Sequence, residues 1–124
     1  MVKLIPDTNF LIYLAKYKLL DKIENYELWL LKPVLQELIS ISKGDRENAE
    51  DRNAASLTLQ FLDKIQAKTK YIENVEGKAD DAILELAVRE NCLVGTMDKE
   101  LIERLKKEKI KILIVRQKKL LEEK

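Results

Sequence analysis

The chain has 124 residues, 46% of them hydrophobic and 36% charged, with a formal net charge of +1 and no histidine. That length predicts one domain with a sizeable core, the near-neutral charge excludes a strongly basic nucleic-acid coat while leaving room for a local basic patch, and the lack of histidine removes the usual general base and the usual zinc ligand. A single cysteine, Cys92, excludes an internal disulfide and points to a reducing, cytoplasmic setting; no stretch approaches the roughly 20 apolar residues needed to cross a membrane.

Val2-Lys3-Leu4-Ile5 reads as a short buried strand stopped by Pro6, and an apolar helix over about 8–18 follows. Glu27-Leu28-Trp29-Leu30-Leu31 is a second strand. Pro33 opens a helix over about 33–43, where a prolyl residue is tolerated because its missing N–H would lack a partner anyway. Val34, Leu35, Leu38 and Ile39 recur on one face of that helix. Lys43-Gly44-Asp45 breaks the chain before a long helix over about 46–68. Tyr71-Ile72 is a short third strand, and a helix over about 79–91 carries Ile83, Leu84, Ala87 and Val88. Cys92 is read as a small hydrophobe at the junction with a fourth strand, Leu93-Val94-Gly95-Thr96. Asp98 to Glu108 is helical, Lys111 to Val115 is a fifth strand, and Gln117 onward reads as a polar tail or short helix.

Strands separated by helix-length segments predict βαβ units and a parallel sheet of about five strands. Right-handed crossovers then place all the strand carboxyl ends on one edge, which is where open α/β sheets bind ligands. Acids stand at that edge. Asp7 ends the first strand, Asp80 and Asp81 open a helix, Asp98 follows the fourth strand two residues past Thr96, and Glu37 lies beside the apolar stripe of its helix. Taken one at a time, Asp7, Asp80 and Asp98 also read as helix caps, because carboxylate oxygens accept from unpaired N–H groups at the positive end of the dipole; Glu37 alone reads as a solvated helix residue. Capping accounts for one acid per helix. It does not account for Asp80 followed at once by Asp81, or for Asp7 and Asp98 both standing beside hydroxyl residues, Thr8 and Thr96.

Two carboxylates about 5 Å apart repel by about 3 kcal/mol at an effective dielectric near 20, and a divalent cation removes that penalty. Oxygen-only ligands favour Mg²⁺ or Mn²⁺. Such an ion provides an activated water without histidine and neutralises charge on a phosphoryl group, so the inventory fits metal-assisted cleavage of a phosphodiester.

At these residues the sequence resembles the PIN domains, the small nuclease fold of VapC-type toxins and of rRNA-processing factors. The stretches that carry the likeness are Asp7-Thr8-Asn9, Glu37 in its helix, Ala79-Asp80-Asp81-Ala82-Ile83 and Val94-Gly95-Thr96-Met97-Asp98, in family order over essentially the full chain. Ala79-Asp80-Asp81 and the ending from Ile112 to Lys119 resemble the Fcf1/Utp24-like branch more than typical toxins. The resemblance implies a three-layer α/β/α fold around a twisted parallel sheet. It implies a Mg²⁺- or Mn²⁺-dependent endoribonuclease acting on single-stranded RNA, in rRNA or other RNA processing, or as the toxin of a toxin–antitoxin pair, or else a catalytically silent RNA-binding module. It assigns Asp7, Glu37, Asp81 and Asp98 as catalytic acids and metal ligands, with Asp80 as a further ligand and Asp81 preferred over it. Thr8, Asn9 and Thr96 are supporting polar residues. Partners implied are single-stranded RNA, a second copy of the chain, and ribosome-assembly factors or an antitoxin.

Arg104, Lys106, Lys107, Arg116, Lys118 and Lys119 cluster near the C-terminus and are candidates for phosphate contacts; Lys109 and Lys111 also read as protection for a sheet edge. Tyr13, Tyr17 and Trp29 read as core or dimer-interface residues. Two other α/β aspartate chemistries fit less well. A receiver needs a phosphoacceptor Asp after the third strand, where this chain has only Glu73, and a HAD-type phosphatase needs an Asp two residues after the first, where it has Asn9.

Overall fold

The computed structural model describes residues 1–44, 48–75 and 77–123. Its elements, in chain order, are β1 (Lys3–Pro6), α1 (Thr8–Lys16), β2 (Glu27–Leu31), α2 (Lys32–Lys43), α3 (Ala49–Lys64), β3 (Thr69–Ile72), α4 (Ala79–Glu90), β4 (Leu93–Gly95), α5 (Lys99–Lys107), β5 (Ile112–Arg116) and β6 (Lys119–Glu123), with single 3₁₀ turns at Leu20–Ile23 and Gln66–Lys68. The expected break at Lys43-Gly44-Asp45 and the expected helix onset at 46 fall partly on residues 45–47, outside the described residues; α3 is in place by Ala49, capped by the side chain of Asn48, which accepts the Asp51 N–H at 2.7 Å.

The strands form one sheet in the order β3-β2-β1-β4-β5-β6, parallel except for β6. The chain runs outward from β1 to β2 and β3, then returns to the other side of β1 through β4 and β5. Because each crossover is right-handed, reversing the direction of travel moves the connecting helices to the opposite face. α1, α2 and α3 pack together, and α4 packs with α5, which gives the α/β/α layering. The order reverses between β1 and β4, so their carboxyl ends flank the crevice where ligands bind in open α/β sheets.

Both faces of the sheet are covered, so the central strands are apolar without alternation. Leu28, Trp29, Leu30 and Leu31 are all buried in β2, and Ile112 through Val115 in β5. Phe10 is completely buried where α1 crosses β4. A Cβ on Gly95 would lie 2.4 Å from its ring. Glycine in this short strand therefore marks a close approach of ring to backbone.

The C-terminus departs from the sequence expectation. In place of a tail or short helix, Lys119–Glu123 turns back and pairs antiparallel with β5, Arg116 opposite Lys119. Gln117 and Lys118 form the two-residue turn, both with positive φ (52° and 60°), as in the type I′ turns that suit the twist of a hairpin. Those turns normally carry Asn-Gly or a similar pair, so no turn signal was legible at Gln117-Lys118. Of the two places expected for Tyr13 and Tyr17, core or dimer interface, they do not take the core. They are exposed, 39% and 37%, with ring centroids 5.8 Å apart, whereas Trp29 is a core residue as expected. Cys92 is buried at the α4–β4 junction, and no described helix is long and apolar enough to cross a membrane.

Candidate active site

Asp7 is the first residue past β1. Its N–H still donates to the Gly95 carbonyl (2.9 Å), which continues the pairing of β1 with β4, and its extended backbone (φ −90°, ψ 172°) makes it the N-cap of α1. One carboxylate oxygen accepts the Phe10 N–H at 2.8 Å. The other accepts the hydroxyl of Thr96. Thr96 is fully buried beyond β4, its oxygen also accepts the Asp98 N–H at 3.1 Å, and Asp98 in turn caps α5 by accepting the Leu101 N–H at 3.0 Å through Oδ1. Thus the two acids at the switch point are linked through one hydroxyl. The capping reading of Asp7 and Asp98 is correct, and capping takes only one of the two oxygens of each carboxylate.

The field at this point is negative. Burial pushes the Asp7 carboxyl up to about 6 from the ordinary 3.8; the bonds from Thr96 and Phe10 oppose that rise, and the nearby charges of Asp80 and Asp98 add to it. Asp80 is also raised, first by burial and then by Asp98, with Arg104 opposing and Asp81 and Glu100 adding. The charges of Asp80 and Asp98 therefore act on Asp7, and that of Asp98 acts on Asp80, across three segments.

The other sequence candidates lie elsewhere. Asp81 extends to α5, where its Oδ1 accepts Arg104 Nη2 at 2.8 Å, an exposed ion pair. Asp80, one residue earlier and about 100° around the helix, is the acid of the pair whose charge acts on Asp7. Lys78 caps α4 without a side-chain bond, so both aspartates occupy the first turn, and which of them turns inward is decided by the docking of α4 on α5. Glu37 is exposed on α2 and lines a groove of about 630 Å³ that also holds Asn9, Tyr13, Lys16 and Ser40; it shares that groove with Asn9, not with Asp98. Thr8 is buried in the first turn of α1. Among the described residues no three Asp, Glu or Cys side chains stand close enough to form a ready-made cation cage; Thr96 and Phe10 hold Asp7, the α5 N-terminus holds Asp98 and Arg104 holds Asp81.

The basic candidates also separate. Arg104 is committed to Asp81. Lys118 lies over the Tyr17 ring, 5.7 Å from its centroid, Lys107 ends α5, and Lys119 begins β6. Two residues have roles in the structure that the sequence reading did not give them. Gly95 supplies the carbonyl for Asp7 and the space for Phe10; its signal was a lone glycine in a buried strand. Arg104 neutralises Asp81, and nothing in the local sequence indicated that contact.

The donor chemistry suits a hard divalent cation. The site offers carboxylate and hydroxyl oxygens, there is no histidine in the chain, and the one thiol is buried in the core.

Two comparisons with known proteins bear on the chain as a whole. The family model described as a PIN like domain matches residues 4–118. The chain is also similar to Ribonuclease VapC4 of Methanocaldococcus jannaschii, with 35% identity over 130 residues, spanning 98% of this chain and 96% of that protein.

Proposed function

The chain belongs to the PIN family, and on that premise we propose that it is a ribonuclease hydrolysing phosphodiester bonds of single-stranded RNA with Mg²⁺ or Mn²⁺ held at Asp7, the charges of Asp80 and Asp98 adding to its attraction. The observation that carries this reading is the partly buried Asp7, fixed on both oxygens by Phe10 and Thr96, with the charges of Asp80 and Asp98 acting on it. When bound, a hard divalent cation supplies Lewis acidity for a water nucleophile and for the phosphoryl oxygens. The protein's part is positioning. Thr96 holds the Asp7 carboxylate and the Asp98 backbone in one arrangement, Phe10 locks the turn through its N–H and its packing on Gly95, and the partial burial of Asp7 strengthens interactions with its charge. Asn9 and Glu37, along the adjoining groove, are positioned to contact the substrate beyond the reacting phosphate.

The similarity to a protein named VapC4 over nearly the whole of both chains favours the toxin role, with an antitoxin partner, over rRNA processing. Incubation of a single-stranded RNA with Mn²⁺ and either the unmodified protein or Asp7→Asn tests the reading. Cleavage by the first and loss of at least 100-fold in the second is the expected result; equal cleavage by both removes the site.

A further inference from the structure

A second feature opens at the same edge of the sheet, on the far side of the Thr96-Met97-Asp98 segment. Lys99, Ile102, Glu103 and Lys106 recur at i, i+3, i+4 and i+7 of α5, on the flank turned away from Arg104's contact with α4, and that flank faces the end of β5 across a cleft of about 370 Å³. The volume is within the range of small-ligand sites, about 300–1,000 Å³. The floor is apolar, formed by Met97, Ile114 and Val115, and the rim carries Lys99, Lys106 and Arg116 against one acid, Glu103. The Met97 sulfur accepts the Val115 N–H at 3.3 Å, which ties the floor to the segment bearing Thr96 and Asp98.

We propose that this cleft is the nucleotide subsite next to the scissile bond, with RNA phosphates held by Lys99, Lys106 and Arg116 and the adjoining base or ribose lying on Met97, Ile102 and Ile114. The choice of RNA rests on the ribonuclease reading above; the site itself rests on the cleft. Three cations to one anion at the rim fit a polyanion. They also offset the repulsion that the acidic centre exerts on an approaching phosphate. Edge protection does not explain Arg116, because β6 covers β5 on that side. Among the described residues neither Lys99 nor Arg116 has an ion-pair partner. The hairpin turn at Gln117-Lys118 sets where Arg116 stands, in the less common left-handed conformation at two successive residues. With no aromatic platform and no neutral amide or hydroxyl side chain in the cleft, recognition here is of backbone and apolar ring face, blind to base identity.

The test uses fluorescein-labelled octauridylate with the whole protein in EDTA, so that binding is read by anisotropy without cleavage. Lys99→Gln, Lys106→Gln and Arg116→Gln each weaken binding 3- to 10-fold and lower the slope of log K against log salt by about 0.7 per lost phosphate contact. Lys22→Gln and Lys64→Gln, in the turn before β2 and at the end of α3 and outside the cleft, leave both unchanged. In Mn²⁺ the cleft variants raise KM by a similar factor with kcat unchanged, and trimming nucleotides from one end of the substrate abolishes the difference between Arg116→Gln and the unmodified protein. Equal losses in the two remote variants overturn the subsite, as does octaglutamate binding as tightly as RNA with the same dependence on Arg116, which would make the cleft a site for an acidic protein segment. The two readings fail separately. Cleavage with no effect of the cleft variants removes the subsite and keeps the nuclease, whereas cleft-dependent binding with no cleavage in Mn²⁺ or Mg²⁺ removes the nuclease and keeps the subsite.

Discussion

The hydroxyl of Thr96 donates a hydrogen bond to the carboxylate of Asp7, 89 residues away in the chain, while its oxygen accepts the Asp98 N–H two residues on. One buried oxygen thus joins β1, β4 and the start of α5 at the switch point of the sheet. Thr96→Val keeps the volume and removes both bonds, leaving a buried carboxylate oxygen and a backbone N–H unsatisfied. The expected cost is about 2–4 kcal/mol, seen in urea unfolding, with RNA cleavage reduced at least 10-fold. Thr96→Ser retains most of both. A valine variant as stable and active as the parent would show that the hydroxyl orients nothing.

Because the folded Asp7 carboxyl titrates near 6 and the unfolded one near 3.8, the native state binds more protons than the unfolded state between those values. Stability of the metal-free protein therefore falls as pH rises from about 4 to about 6 and levels off above, by at most about 3 kcal/mol for a shift of this size. Urea unfolding in EDTA from pH 4 to pH 7.5 measures it, and Asp7→Asn flattens this part of the profile. Millimolar Mn²⁺, which binds the ionised form, raises the melting temperature at pH 7 and has little effect at pH 4.5. No response to Mn²⁺ at pH 7 would count against a cation site.

Asp80 and Asp81 are separable by substitution. Asp81→Asn loses an exposed pair with Arg104 and changes stability by less than about 1 kcal/mol, with the Mn²⁺ response of the melting temperature retained. Asp80→Asn removes that response and at least 10-fold of the cleavage rate. The opposite pattern would return Asp81 to the site. Glu37→Gln serves as the third arm; if Glu37 acts on substrate along its groove, KM rises and the Mn²⁺ response is unchanged.

Gly95→Ala forces a methyl group against the Phe10 ring, which is fully buried and has no room to retreat. Destabilisation of about 1–3 kcal/mol is expected from overpacking, with a displaced Asp7 as a second consequence because α1 carries both residues. Adding Phe10→Leu should recover part of the loss, a coupling that thermal unfolding of the four proteins of the cycle would measure. Additive losses would show that the ring and the strand do not meet.

Some of this was legible in the chain. The uninterrupted apolar runs of β2 and β5 indicate strands buried on both faces, and the order of strands and helices then leads to a parallel sheet whose carboxyl edge carries Asp7 and Asp98. The caps were legible too, because an aspartate before an apolar helix offers its oxygen to the first turn wherever it occurs. Local pattern did not reveal the hairpin at Gln117-Lys118, whose residues lack the usual turn signal, or the exposure of Tyr13 and Tyr17, whose apolar character fits a core equally well.

The sequence by itself determined the elements as far as β5 and that acids stand where two of the strands end, since periodicity, caps and apolar runs act over a few residues. Only the tertiary structure decided that the charge of Asp80 acts on Asp7 while Asp81 pairs with Arg104, that Thr96 joins Asp7 to Asp98, and that Arg116 shares one cleft with Lys99 and Lys106. The reason is range. Those outcomes depend on the rotation of α4 against α5 and on a turn that brings β6 back along β5, and a rotation of one residue, about 100° on a helix, exchanges which carboxylate enters the site.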